Sequence, residues 1–172
     1  MVKCHGCLVV FDSDTDQAPA PAHPYIGAVH NCWRVYSEIL AKEFSDPEYF
    51  KVHRITVDAY SAQHIGDQSD RRARQSANLH LIVLYLGFEK NLGVEKIRDF
   101  LKAATIVKRD WPAITQITNP NWLNVLDVVS AQTALNHHEI VKKWGQSVWD
   151  MYKDHHKNII ETYEKFCLIH KS

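Results

Sequence analysis

Residues 76–88 read SANLHLIVLYLGF, and from Leu79 to Phe88 apolar side chains fall on almost every side of a 3.6-residue period. A segment patterned in this way is a helix surrounded by other helices, so a helix of about residues 70–88 is the expected core of the molecule. Immediately upstream, IGDQSD at 65–70 is a turn, with Gly66 to end one helix and Ser69 or Asp70 to cap the next. The preceding helix is expected over about 47–63, opened by Asp46 as cap and Pro47 at the first helical position. The two form a helical hairpin.

The same period runs further out in both directions. Val29, Cys32, Trp33, Tyr36, Leu40 and Phe44 fall three and four apart and predict a helix over about 28–43. After the break at 91–93, Ile97, Phe100 and Leu101 predict a shorter one over 94–104. Val141, Trp144, Val148, Tyr152, His155, Ile159, Tyr163 and Phe166 line one face of a long final helix, about 138–169. Between these, DWPAITQITNPNWLNVLD at 110–127 holds two prolines and β-branched residues, and reads as an irregular excursion. DSDTDQAPAPAHP at 12–24 cannot propagate a helix and reads as a linker or extended arm. The expected fold is therefore mainly α: a bundle of about five helices within 28–169, preceded by an irregular N-terminal arm over 1–24, in a single domain spanning 1–172.

The composition narrows the function classes. Twenty basic and twenty acidic residues cancel, which removes the electrostatic footprint of a dedicated nucleic-acid binder. The basic cluster RRAR at 71–74 reads as a solvated helix face. No apolar run is long enough to span a membrane, since His80 and Gly87 interrupt the best candidate. The first residues, MVKCHGCLVVF, are too short in apolar length for a secretory signal, so a soluble, cytoplasmic protein is expected, with thiols or metal ligands in place of disulfides.

The histidines carry the first site hypothesis. His53 lies fourteen residues before Asp67 and His80 thirteen after it, so in an antiparallel hairpin their Cα levels agree to within a turn. A third ligand would come from the last helix, where His155 continues the apolar stripe and His156 borders it. Three imidazoles with an open fourth position make the catalytic kind of zinc site. His64, eleven residues from His53, sits about 16 Å along the helix and cannot share that ion. The plainer reading makes each histidine a core residue bonded through one ring nitrogen. Asp58 pairs with Arg54 one turn away on the solvent side, with a supporting role behind a metal ligand as the alternative.

The cysteines carry a second hypothesis. Cys4-His5-Gly6-Cys7 has the spacing of a zinc knuckle, and His30 with Cys32 is the nearest partner pair, giving a Cys3His clip that pins the arm to the bundle. Cys32 also fits the apolar stripe as an ordinary buried cysteine, and Cys167 reads as packing. Trp144, Trp149 and Tyr152 are expected in the core rather than in a ligand pocket.

CHGC, HNCWRVYSEILAKEF, PEYFKVHRITVDAYSAQH, RQSANLHLIVLYLGFE and VKKWGQSVWDMYKDHH together resemble a bacterial family of small proteins of unknown function. Its members carry CxxCG, HRLTVDAYAAQHPG, a helix containing HL, and WAxSVWxxWxxHH. Here Leu8 stands where that pattern has glycine and Ile65 where it has proline. The resemblance implies no activity and assigns no catalytic role. A looser similarity to DinB-like bundles implies a divalent metal held by three histidines from separate helices, an analogy of architecture only.

Taken together, these readings predict a metal-binding helical protein with a divalent ion, zinc the expected one, at His53, His80 and His155 and a structural ion at Cys4, Cys7, His30 and Cys32. Whether it is an enzyme stays open. Metal-assisted hydrolysis or thiol transfer on an unidentified small molecule is one class. The other is a non-catalytic interaction or binding module with a structural zinc or no metal. No nucleic-acid or membrane partner is expected, and a homodimer is allowed.

Overall fold

The computed structural model describes residues 1–12, 23–106 and 109–169; the part of the expected linker at 13–22 lies outside the described residues. Two short antiparallel strands, β1 (Val2–Lys3) and β2 (Val10–Phe11), pair Val2 with Phe11 and Lys3 with Val10. Eight helices follow among the described residues: α1 (His30–Ser45), α2 (Pro47–Phe50), α3 (His53–Gln63), α4 (Arg71–Phe88), α5 (Val94–Ile106), α6 (Val125–Val129), α7 (Ala134–Met151) and α8 (His156–Ile169). The fold is mainly α, as the periodicity predicts.

The stops and starts have local causes. Asp46 caps α2 by accepting from Glu48 N at 2.8 Å, and Asp70 caps α4 by accepting from Arg72 N and Ala73 N. The helix expected over 47–63 is instead two, because Val52 leaves helical geometry (φ −109°, ψ 4°) to bury its side chain, and the chain restarts at His53. The long final helix is likewise broken. Tyr152 is fully buried and donates its hydroxyl to Ala62 O at 2.9 Å, a short 3-10 turn covers Lys153–His155, and α8 sets off from His156. No proline or glycine marks that break. The excursion over 110–127 is irregular apart from α6, which Asn124 and Asp127 open with a reciprocal capping box.

α3 and α4 pack on each other, and α7 crosses both. Leu81, Leu84, Leu86, Trp144, Trp149 and Tyr152 are fully or almost fully buried there. Burying side chains of this size stabilises the fold by about 1.5–3 kcal/mol each. The approach of α7 is close enough that a Cβ on Gly145 would lie 2.6 Å from Ile55 Cγ2. α3 buries several polar residues, among them Thr56, Asp58 and Gln63, and Glu43 on α1 and His137 on α7 are buried too; these organise the sites described below.

No helix among the described residues is long and apolar enough to cross a membrane. RRAR is only partly a solvated face: Arg74 clamps the excursion, donating from Nε to Trp111 O at 2.9 Å and from Nη2 to Asp110 at 3.0 Å.

Candidate metal centre

The knuckle is built by backbone hydrogen bonds. Cys4 N donates to Val9 O at 2.8 Å and Leu8 N to Cys4 O at 3.0 Å, which turns the chain so that Cys4 and Cys7 face inward between β1 and β2. Leu8 takes the left-handed conformation, φ 63°, at the position where the CxxCG pattern has glycine. Cys32 is presented by α1, and His64 closes α3 as its C-cap residue. The four side chains meet from three separate stretches of chain. Cys4, Cys32 and His64 are fully buried and Cys7 is 3 % exposed.

Their donor atoms all lie within 4.8 Å of one another, with Cys7 Sγ to Cys32 Sγ at 3.8 Å and Cys32 Sγ to His64 Nε2 at 3.4 Å. Tetrahedral zinc, with bonds of about 2.3 Å to sulfur and about 2.0–2.1 Å to nitrogen, spans S–S edges of about 3.8 Å and S–N edges of about 3.6 Å. The Cys7–Cys32 and Cys32–His64 separations lie close to those edges, and all the others stay within 4.8 Å. His64 Nδ1 donates to Tyr60 O at 2.8 Å, which leaves the Nε2 lone pair for the cluster. Tyr60 in turn donates its hydroxyl to Cys32 Sγ at 3.7 Å.

Three sulfurs this close cannot ionise together unaided. Hydrogen bonds from Cys32 and Cys7 hold Cys4 far below the ordinary thiol range. Hydrogen bonding to Cys4 and Cys7, with burial, pushes Cys32 well up. Cys7 gains a favourable bond from Cys32, but hydrogen bonding to Cys4 and burial prevail and push it up to about 12. The negative charge thus gathers on one sulfur, and a shared divalent cation is what would let all three become thiolates.

His30 is not part of this group. It precedes Cys32 by two residues on α1, and side chains two apart on a helix do not face the same side. His64 takes the fourth place instead. The signal available for it was its position in the HRITVDAYSAQH segment.

Nor does the structure bring His53, His80 and His155 together. His53 and His80 turn to different faces, and each has its own carboxylate: His53 Nδ1 meets Glu43 Oε2 at 2.8 Å, and His80 Nδ1 meets Asp58 Oδ1 at 2.7 Å. His155 sits in the turn between α7 and α8, while its neighbour His156 stacks on Trp149 at 3.5 Å and bonds Trp149 O at 2.8 Å. Among the described residues, the cluster of Cys4, Cys7, Cys32 and His64 is the group of three or more His, Cys, Asp or Glu whose donors converge on one point.

Glu43 and His137 went unnoticed in the sequence. Glu43, fully buried, accepts from His53, from His137 Nε2 at 2.8 Å and from Thr56 Oγ1 at 2.5 Å, tying α1, α3 and α7 together. Burial alone would push its carboxyl up, but bonds from His137, His53 and Thr56 prevail and hold it below the ordinary glutamate range. An acid in register with Tyr36 and Ile39 on the apolar stripe was the available clue. Asp58 forms its pair with Arg54, yet the carboxylate is buried rather than on the solvent side.

The bundle and its buried Cys3His group define a mainly helical protein with a site able to hold a metal ion. The chain belongs to DUF5946, a family of unknown function, whose family model matches residues 2–153. That span takes in all four members of the group. Among curated proteins and solved structures, nothing matches the chain.

Proposed function

We propose that the protein holds one zinc ion at Cys4, Cys7, Cys32 and His64, and that this ion is a structural staple fixing the N-terminal hairpin to α1 and α3. The observation that carries this reading is the closed ligand set: four donors within 4.8 Å of one another, none from a residue more than 3 % exposed. A catalytic zinc keeps one position open for water or substrate, and a thiol-transfer centre needs an accessible thiolate. The geometry therefore supports the non-catalytic module over metal-assisted hydrolysis or thiol transfer at this group. The hairpin has strands of only two residues, too short to be stable alone, and a zinc tie would add to the buried Phe11 and the Asn31 Nδ2 bond to Asp12 O in holding it on the bundle. Thiolate ligands of this kind fit a reducing compartment, which makes the cytoplasm the proposed location.

The test is metal analysis of protein purified without an affinity tag. About one zinc per chain is expected, lost in Cys7→Ser and retained in His80→Ala. Cobalt substitution should give the absorption of a tetrahedral thiolate site. Wild-type protein without metal, or zinc retained at full stoichiometry in Cys7→Ser, overturns the reading.

A further inference from the structure

A second site lies away from the cysteines. Between the first half of α4, the end of α5 and the segment at 23–25 runs a cleft of about 600 Å³, lined by Arg54, Arg71, Arg72 and His80 on its polar side and by Leu79, Leu101 and Ile106 on its apolar side. No carboxylate is among its lining residues.

The charges in the cleft are unevenly matched. Asp58, 1 % exposed, sits behind the wall and pairs with Arg54 while accepting from His80 Nδ1 at 2.7 Å. That compensates one guanidinium and fixes the imidazole so that Nε2, which has no protein partner among the described residues, is the nitrogen left for the cleft. The Arg72 side chain donates only to the neutral Tyr25 hydroxyl, at 3.0 Å, and Arg71 forms no ion pair among the described residues. Two exposed guanidiniums thus form no ion pair among the described residues beside a fixed imidazole, with Asp70, already engaged as the α4 cap, the carboxylate that acts on Arg72 from outside the cleft lining. In a molecule of zero net charge this is a local concentration of cations.

We propose that this cleft binds a phosphomonoester: a small molecule with a terminal phosphate dianion on an apolar or aromatic body. Two guanidiniums free of ion pairs match a charge of about −2 and offer forked donors to its oxygens, whereas a single carboxylate would leave one cation without a paired anion. Arg54 and His80, held on Asp58, contact the same group from the inner wall. Leu79, Leu101 and Ile106 receive the apolar body, and the volume suits a small ligand. The inference goes beyond the zinc staple and does not depend on it, because none of these residues belongs to the Cys3His group.

The experiment titrates the full-length, metal-loaded chain with phenyl phosphate, inorganic phosphate, benzoate and a short oligothymidylate, by calorimetry and by the ring proton resonances of His80. Phenyl phosphate should bind one to one, at least about tenfold tighter than inorganic phosphate or benzoate, and should shift the His80 resonances. The exposed pair Arg71→Ala/Arg72→Ala should weaken it at least about tenfold, with zinc content and Tm unchanged. Thr105→Glu, which adds a carboxylate to the lining, should repeat that loss. Four results overturn the proposal: no saturation by phenyl phosphate to about 10 mM, equal affinity in the arginine and Thr105 variants, inorganic phosphate binding as tightly as phenyl phosphate, or the oligonucleotide binding tightest, which would make the cleft a nucleic-acid surface.

Discussion

Replacing Gly6 by alanine places a methyl group where three atoms already stand: the new Cβ would lie 2.4 Å from His64 Cδ2, 2.8 Å from His64 Cγ and 2.7 Å from the Gln63 carbonyl oxygen. Favourable contact between such atoms begins near 3.5 Å, so the knuckle must lift by about 1 Å. The obstacles cannot move aside. One is backbone, and the other is a ring held by Nδ1 to Tyr60 O at 2.8 Å. Metal–ligand distances tolerate about 0.2 Å, and Cys4 and Cys7 flank Gly6, so a lift of that size pulls two thiolates out of the tetrahedron. Disturbing only the partners of a metal ligand costs about 10–100-fold in affinity, and displacing ligands themselves should cost at least the upper end, about 100-fold or 2.7 kcal/mol. Competition for zinc against a chromophoric chelator at fixed pH measures it, and the rise in Tm on adding zinc should shrink in parallel. A Gly6→Ala protein that binds zinc within about threefold of wild type would refute the argument that the knuckle and His64 grip one ion.

Glu43→Ala strips three donors of their shared buried acceptor and should cost about 3–5 kcal/mol by denaturant unfolding. Because the folded carboxyl titrates below its ordinary value near 4.3, the unfolded chain binds its proton first, so the stabilisation from Glu43 is present above that value and disappears as pH falls through the lower folded one. Unfolding titrations below about pH 5 should therefore be flatter in Glu43→Ala than in wild type, and parallel curves would count against the network. Gly87→Ala, in the last turn of α4 where an added Cβ meets nothing within 4 Å, should raise stability by up to about 0.5–1 kcal/mol; a lower Tm would contradict the open space. Leu8→Gly relieves a left-handed residue worth about 1–2 kcal/mol against about 0.5–1 kcal/mol of added chain entropy, so the zinc-loaded form should gain up to about 1.5 kcal/mol. A fall in its Tm would show that the Leu8 side chain contributes more than its backbone costs.

Helical periodicity made α1, α4 and α5 readable to within two residues, and an Asp cap placed the start of α4, since a stripe at 3.6 spacing and a cap are local properties of the chain. The breaks at Val52 and Tyr152 were not readable. Each arises because a side chain seeks the core, and no glycine or proline announces it. The matched levels of His53 and His80 follow from arithmetic along a hairpin, but level says nothing about rotation. His80 does lie beside Arg54 and Asp58, one turn from His53, while His53 turns the other way toward Glu43.

Local sequence alone established the mainly α class, the principal helices and the CxxC spacing, because each depends on residues within a few positions of one another, whereas Cys32, twenty-five positions beyond Cys7, could be read equally as a ligand or as an ordinary buried cysteine. Packing chose the fourth member of the cysteine group. His64 is fifty-seven positions beyond Cys7 in the chain, and it reaches the sulfurs because α3 ends where the N-terminal hairpin lies against it and Tyr60 O orients its ring. The pairing of Glu43 with His137, and of His80 with Asp58, was settled in the same way: a buried charge takes its partners from whichever helices pack against it, and those are neighbours only once the bundle has formed.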